Sequence, residues 1–298
     1  MRVRSLSMGY RDRASRAALR LLGQETIPLG KVGRLVRPRS ASGQRVRTAR
    51  LDRQGGAHLV YRPRLMRTRI HEVQKRTAKF LALEQLLWIL REHDVQVVLD
   101  VGANTGQFAT RLRRAGYRGR IESFEPVPET AAALREAARD DPRWRVHELA
   151  LGEEDGTAVI NVTPGTLSSL LAPSDYGRQW SRKMRQVREQ EIQVRRLDRL
   201  WDELVGADSG AVFLKMDTQG FDLQAFRGAG ERVADLAGLQ SEAALLTLYE
   251  GMPRLPEVLA EYEAAGFDTS GIYTISVERP TLRVIEVDLL MVRRRSGT

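Results

Sequence analysis

The spacing of hydrophobic positions changes several times along this chain, and each change marks an element. Between Ile70 and His93, the residues Val73, Phe80, Leu81, Leu83, Leu86, Leu87, Ile89 and Leu90 recur at helical spacing with few breakers, which predicts a helix. The apolar run Val97-Val98-Leu99 then leads through Asp100-Val101 to two glycines four apart, Gly102 and Gly106. Gln107–Ala115 reads as a helix stopped by Gly116. The order strand, tight turn, helix then recurs. Ile121–Glu125 reads as a strand broken by Pro126 and Pro128, and the alanine-rich Glu129–Arg139 as the helix after it. Val146–Ala150, Thr157–Val162 and Glu191–Arg195 read as strands, and Leu197–Leu204 as a helix. Ala211–Asp217 is a strand running into a helix at Leu223–Arg227. A strand in the first half of Leu239–Leu248 precedes a helix at Leu255–Ala265, and the alternating Ile272–Val277 and Leu282–Val292 pair as a hairpin through Glu278-Arg279-Pro280. The fold class is therefore α/β: a doubly wound, mostly parallel sheet with an antiparallel C-terminal edge hairpin.

Before residue 66 the pattern fades. Ala14–Leu22 has the spacing of one short amphipathic helix, and Gly, Ser, Pro and Arg dominate Gly30–Gly56. The expected organisation is an Arg-rich, largely irregular extension over 1–65 and a single α/β domain over 66–298. Charge follows the same division. The net charge is +10, yet residues 1–80 hold 21 Lys and Arg against 4 Asp and Glu, so the remainder is acidic. Such an arm suits nucleic acid or an anionic surface. It lacks the interleaved aromatics that stack on bases, so a nucleic-acid partner is the alternative and not the first reading. There is no cysteine, which excludes disulfides, thiol nucleophiles and thiolate-bound zinc. No apolar run is long enough to span a membrane and no secretory leader stands at the N-terminus, so a cytoplasmic protein is expected.

The run Asp100 to Gly106 carries the first chemistry. Glycine admits positive φ and close approach of backbone to ligand, and the helix N-terminus that follows offers N–H donors. A dinucleotide site wants G-x-G-x-x-G, which Gly102-Ala103-Asn104-Thr105-Gly106 does not supply. Asp100 before the loop would repel a pyrophosphate and suits a cationic ligand, such as the ammonium and sulfonium of S-adenosylmethionine. The loop amides are expected to face that ligand's amino-acid part and ribose. Glu125 closes the second strand, where ribose hydroxyls are held in nucleotide-binding α/β folds.

The segments VLDVGANTGQFA (98–109), IESFEPVPE (121–129), ALG (150–152), SSLL (168–171), LKMDTQGFD (214–222) and Glu242…Tyr249-Glu250-Gly251 together resemble the FkbM family of S-adenosylmethionine-dependent methyltransferases. The likeness covers roughly residues 70–292. It implies the seven-stranded class I methyltransferase sheet and methyl transfer to a hydroxyl oxygen of a sugar, polyketide or similar small molecule. It places Asp100, Gly102, Ala103, Asn104, Thr105 and Gly106 in the first cofactor loop, with Phe108 and Pro126 beside the cofactor. Glu125 then holds the ribose, and Ala150 and Leu151 pack on the adenine. Lys215, Asp217, Gln219 and Gly220 match a K-x-D-x-Q-G signature, while Asp222 stands where glutamate is usual.

Methyl transfer to a hydroxyl needs alignment, exclusion of water and a base. Asp217, at the end of a strand beside the loop, is the first candidate for acceptor contact or base, against a plain helix-capping role. Lys215 alternates with Met216 and so shares a face with Asp217, where it would pair with it and lower its pKa. Glu242 sits alone among apolar neighbours and needs a partner, Lys215 or the acceptor. Ser168 and Ser169 either line the acceptor pocket, with Gln219 and Tyr249, or tie a turn. His147 reads as structural. The polar, basic residues 172–188 read as a surface loop or lid. No His/Asp cluster has metal spacing, and a divalent cation shared by Asp217 and Glu242 is left open.

Overall fold

The computed structural model describes residues 24–28, 34–38, 47–50, 58–61, 63–206, 210–279 and 281–294. The chain divides into two compact units, Met1–Val73 and Gln74–Thr298. In the first, strands β1 (Gln24–Pro28) and β2 (Arg34–Pro38) pair antiparallel, as do β3 (Arg47–Arg50) and β4 (His58–Tyr61). Two hairpins therefore stand where largely irregular chain is expected, because strands of four and five residues are too short to register as a period. The helix expected at Ala14–Leu22 lies outside the described residues.

The second unit is a three-layer α/β structure. Helix α1 (Pro63–Glu92), which belongs to this unit from Gln74 onward, leads into β5 (Val95–Val101), α2 (Gln107–Arg114), β6 (Arg120–Phe124), α3 (Pro128–Ala138) and β7 (Trp144–His147). After an inserted segment the pattern resumes with α5 (Leu197–Leu204), β11 (Ala211–Met216), α6 (Asp222–Arg227), β12 (Leu236–Ala244) and α7 (Leu255–Ala264). The last two strands are β13 (Phe267–Val277) and β14 (Val284–Arg293). The main sheet has the order β13-β14-β12-β11-β5-β6-β7, with only β14 antiparallel to its neighbours. Helices cover both faces. Leu86, Ile89 and Leu90 of α1 pack with Phe108, Leu112 and Leu134 against Val95 and Val98. On the opposite face Leu197, Trp201, Phe226 and Tyr262 pack against Val97, Leu99 and Val101. Residues such as Val98, Leu99 and Phe213 are wholly buried, as strands covered on both faces require.

Chain order reverses between β5 and β11, so the crevice of this sheet opens beyond their C-terminal ends. A small second sheet, built from β8 (Ala150–Leu151), β9 (Gly156–Val162) and β10 (Arg188–Arg195), flanks that crevice. The strand expected at Val146–Ala150 is thus split: it ends at His147, and Ala150-Leu151 pairs instead with Val194-Arg195. The expected loop at 172–188 is also corrected. It holds α4 (Asp175–Trp180) and a 3-10 turn, Arg182–Arg185, pinned by the wholly buried Met184. Only Gly177 fits there, since a Cβ would lie 2.2 Å from the Leu248 carbonyl oxygen.

Candidate active site

At the end of β5 the chain turns through Gly102 at φ +70°, Asn104 at +49° and Gly106 at +83°. A Cβ on Gly102 would stand 2.0 Å from the Asp217 carbonyl oxygen, so glycine is what lets this loop lie on the end of β11. The loop amides do not face outward, contrary to the sequence expectation. Gly102 N and Ala103 N both donate to the Phe124 carbonyl, at 3.1 and 3.0 Å, and Gly106 N donates to Ala103 O. Asn104 N donates to Glu125 Oε2 at 3.0 Å and Thr105 N to Asn104 Oδ1 at 2.9 Å. The loop is stitched to the end of β6 and held open by its own bonds.

Beneath it lies Asp100. Its side chain is fully buried, 2.8 Å from Lys215 Nζ through Oδ1 and accepting from Ser123 Oγ through Oδ2. Lys215 Nζ also donates to the Val101 and Gly102 carbonyls, each at 3.2 Å. Burial alone would lower the lysine pKa, but the charges of Asp100 and Asp217 reverse this and raise it. Two expectations change. Asp100 does not line the crevice, and Lys215 pairs with Asp100 instead of Asp217. The reason is register: β11 sets Lys215 directly beside Asp100 on β5.

The crevice is a cavity of about 560 Å³, within the range of small-molecule sites. One half is walled by Gly102, Ala103, Asn104, Phe108, Glu125, Pro126, Ala150 and Leu151. Glu125 accepts from Asn104 N and Val127 N, one bond to each oxygen, which leaves acceptor capacity facing the cavity. Burial raises its pKa, and those two N–H bonds pull the other way. Thr105 and Gly106 stand outside the cavity, Gly106 backing onto Leu134 and Trp144.

The other half is held by one side chain. Gln219, in the left-handed region at φ +58°, donates through Nε2 to Asp217 Oδ1 at 2.9 Å and to Glu242 Oε2 at 2.7 Å. The Tyr249 hydroxyl lies 3.0 Å from both Gln219 Oε1 and the Leu167 carbonyl and shares its proton between them. Tyr249 is buried behind Gln219 and does not itself line the cavity. Ser169 Oγ donates to the Gln219 carbonyl at 2.7 Å, and Ser168 Oγ accepts from Thr163 N, so both serines tie turns while lining the cavity. Asp217 does not cap the next helix. Instead Asp222 accepts from Thr218 N, Ser241 Oγ and Glu242 N, fastening the end of β11 to β12.

Sequence reading missed two acids, Glu286 and Asp288, and the cations Lys75, Lys79 and Arg111 around this half. Glu286 lines the cavity, and β14 also sets Asp288 directly opposite Glu242. Burial pushes Glu286 up to about 7 and Asp288 up to about 6. Glu242 is raised well above the usual carboxylate range by burial and by the charges of Glu286, Asp217 and Asp288. Two acids two residues apart in an apolar strand, on one face, were the available signal. Gln240, Lys75, Lys79 and Arg111 also line the cavity. His147 is structural, its Nε2 2.8 Å from the buried Glu122 and its ring stacked on Phe124. Among the described residues no group of three or more His, Asp or Glu is arranged to hold a metal.

The Methyltransferase FkbM domain model matches residues 100–269, more than half of the chain. The chain belongs to the FkbM methyltransferase family. Curated relatives of this FkbM protein include the 2-O-methyltransferase NoeI of Sinorhizobium fredii, 27% identical over 199 residues, spanning 63% of this chain and 79% of that protein. Methyltransferase 1 of Beauveria bassiana is 23% identical over 155 residues, 48% of this chain and 62% of that protein. Among solved structures, magnesium protoporphyrin IX methyltransferase of Synechocystis PCC 6803, crystallised with bound SAM, aligns at a TM-score of 0.41 and 10% identity over 74% of this chain and 82% of its own. Membership of that family makes this chain an S-adenosylmethionine-dependent methyltransferase. The cavity suits that cofactor: an apolar wall at Ala150 and Leu151 for a flat base, and a carboxylate with spare acceptor capacity at Glu125 for a diol. No described helix is long and apolar enough to cross a membrane.

Proposed function

We propose that this chain moves a methyl group from S-adenosylmethionine to a hydroxyl oxygen of a small molecule, such as a sugar or polyketide, in the cytoplasm. In this reading residues 66–298 are the catalytic domain and 1–65 lie outside the chemistry. The observation that carries it is the Gln219 bridge, which holds Asp217 and Glu242 together in the cavity that Glu125 also lines. The Sinorhizobium relative, a 2-O-methyltransferase, supports a hydroxyl acceptor and does not favour nucleic acid.

Bound S-adenosylmethionine supplies an electrophilic methyl on a sulfonium. Gly102, Ala103, Asn104, Phe108, Pro126, Ala150 and Leu151 enclose it, and Glu125 accepts from its ribose hydroxyls. Asp217 receives the proton of the acceptor hydroxyl. Glu242, whose proton burial and acidic neighbours hold more tightly than usual, hydrogen-bonds the acceptor and fixes its approach. Lys215, Gln219 and Tyr249 are positioning residues. The test incubates the chain with methyl-labelled S-adenosylmethionine and an extract of hydroxylated metabolites. Labelled methyl ethers are expected, with Asp217→Asn lowering turnover at least 100-fold and leaving cofactor affinity unchanged. Label found only on nitrogen or carbon, or full turnover by Asp217→Asn, overturns the reading.

A further inference from the structure

Lys75, Lys79 and Arg111 line the same cavity as Asp217 and Glu286, and none of the three makes an ion pair or a side-chain hydrogen bond among the described residues. Neighbouring arginines behave otherwise: Arg113, two residues beyond Arg111, is paired with Asp141 at 2.5 Å. Lys75 and Lys79 stand four apart on one helix, so like charges face each other at a spacing that disfavours the helix unless something gains from it. Arg111 belongs to the same cluster, since its charge and that of Lys75 depress Lys79 after burial does. The carboxylates that act on these lysines are Asp217, Asp288 and Glu286. Glu125, in the cofactor half, feels Lys215 and Asp100 instead. A positive wall thus faces an acidic floor across one cavity, further apart than an ion pair.

We infer that the methyl acceptor carries an oxyanion, a phosphate, sulfate or carboxylate, which Lys75, Lys79 and Arg111 bind while its reacting group reaches Asp217. Ammonium groups act as point charges suited to such anions, and Arg111 adds a planar donor fork. The inference rests on the acceptor half being where Asp217 lies, but its test does not need the acceptor or the atom methylated.

Inorganic phosphate, sulfate and acetate are titrated separately, at low ionic strength, into the full chain loaded with S-adenosylhomocysteine, and heats are measured. The expected result is saturable millimolar or tighter binding of at least one anion, the three arms showing which oxyanion is preferred. That affinity falls at least 10-fold in the double variant Lys75→Ala/Lys79→Ala, while the S-adenosylhomocysteine dissociation constant stays within twofold. Both lysines are exposed, and Lys75→Arg/Lys79→Arg retains binding if charge is what matters. No binding of any anion, or equal binding by the alanine variant, overturns the inference. So does a parallel loss of S-adenosylhomocysteine affinity, which assigns the lysines to the cofactor's own carboxylate. A protein that binds phosphate yet methylates nitrogen keeps this inference and loses the hydroxyl reading.

Discussion

The two halves of the cavity are built by different means. The cofactor half is a backbone construction: Gly102, Ala103, Asn104 and Gly106 spend their N–H groups on Phe124, Glu125 and each other. The acceptor half is a side-chain construction, in which Gln219 spans Asp217 and Glu242 with Tyr249 behind it. Backbone bonds fix the first half before any ligand arrives. In the second, carboxylates held near one another have raised pKa values, so its charge changes with pH and with what binds. One half is set to hold a constant ligand; the other is set to respond.

The largest break in this contrast should come from the buried ion pair under the loop. Lys215→Ala leaves the Asp100 carboxylate buried without its counter-charge and strips donors from Val101 and Gly102. Losing one partner of such a pair costs about 3–5 kcal/mol, which urea denaturation should read directly. Both halves rest on this pair, so cofactor binding and turnover should fall together. Loss of turnover with stability intact would make Lys215 a reacting group and not a support.

Next in size is Glu125→Gln. A carboxylate accepting from Asn104 N and Val127 N, with capacity left for a diol, becomes an amide with one acceptor oxygen. Hydrogen bonds to charged groups are worth about 1.5–3 kcal/mol, so the S-adenosylmethionine dissociation constant should rise roughly 10- to 100-fold by calorimetry. Acceptor KM should not move, because Glu125 lies in the other half.

These halves differed in legibility too. Short-range signals pointed to the cofactor half, in glycines four apart and an acid closing the next strand, while Ala150-Leu151 came from the family resemblance. Asp100 was misplaced because a single strand does not reveal its neighbour's register, and register is what sets Lys215 beside it. The acceptor half depends on contacts between distant segments. Gln219 meets Glu242 and Tyr249 only once β11, β12 and the turn after β12 are assembled, so the sequence could place all three near the site but not join them. Glu286 and Asp288 were hidden by the antiparallel insertion of β14 beside β12. The packed segment 175–185 read as loop because its one wholly buried anchor, Met184, stands among basic residues.

A smaller effect, confined to the acceptor half, is expected from Gln219→Leu. The isostere keeps bulk but removes both Nε2 donations, so Asp217 and Glu242 are no longer held together. Turnover should drop roughly 10- to 30-fold, about 1.4–2 kcal/mol of lost alignment, with S-adenosylmethionine affinity unchanged. Equal losses in both would mean that the halves are not separable.

Stability, and not turnover, tests whether the acceptor half stores unfavourable charge. Glu286 titrates near 7 in the fold, raised first by burial, against an ordinary value of 4.5. The native state therefore holds this proton more tightly than the unfolded chain. Its stabilising contribution is complete below pH 4.5 and is lost as pH rises through about 7. Glu286→Gln keeps an acceptor for Ser276 Oγ and removes the titration. Its melting temperature should match the parent at pH 4.5 and exceed it at pH 8, by the equivalent of roughly 1–3 kcal/mol. Lys75 sits among the groups acting on Glu286, so Lys75→Ala should enlarge that gap at pH 8. A gap that is the same at both pH values would mean that Glu286 is neutralised by its surroundings, and that the acidic floor is already balanced before an acceptor arrives.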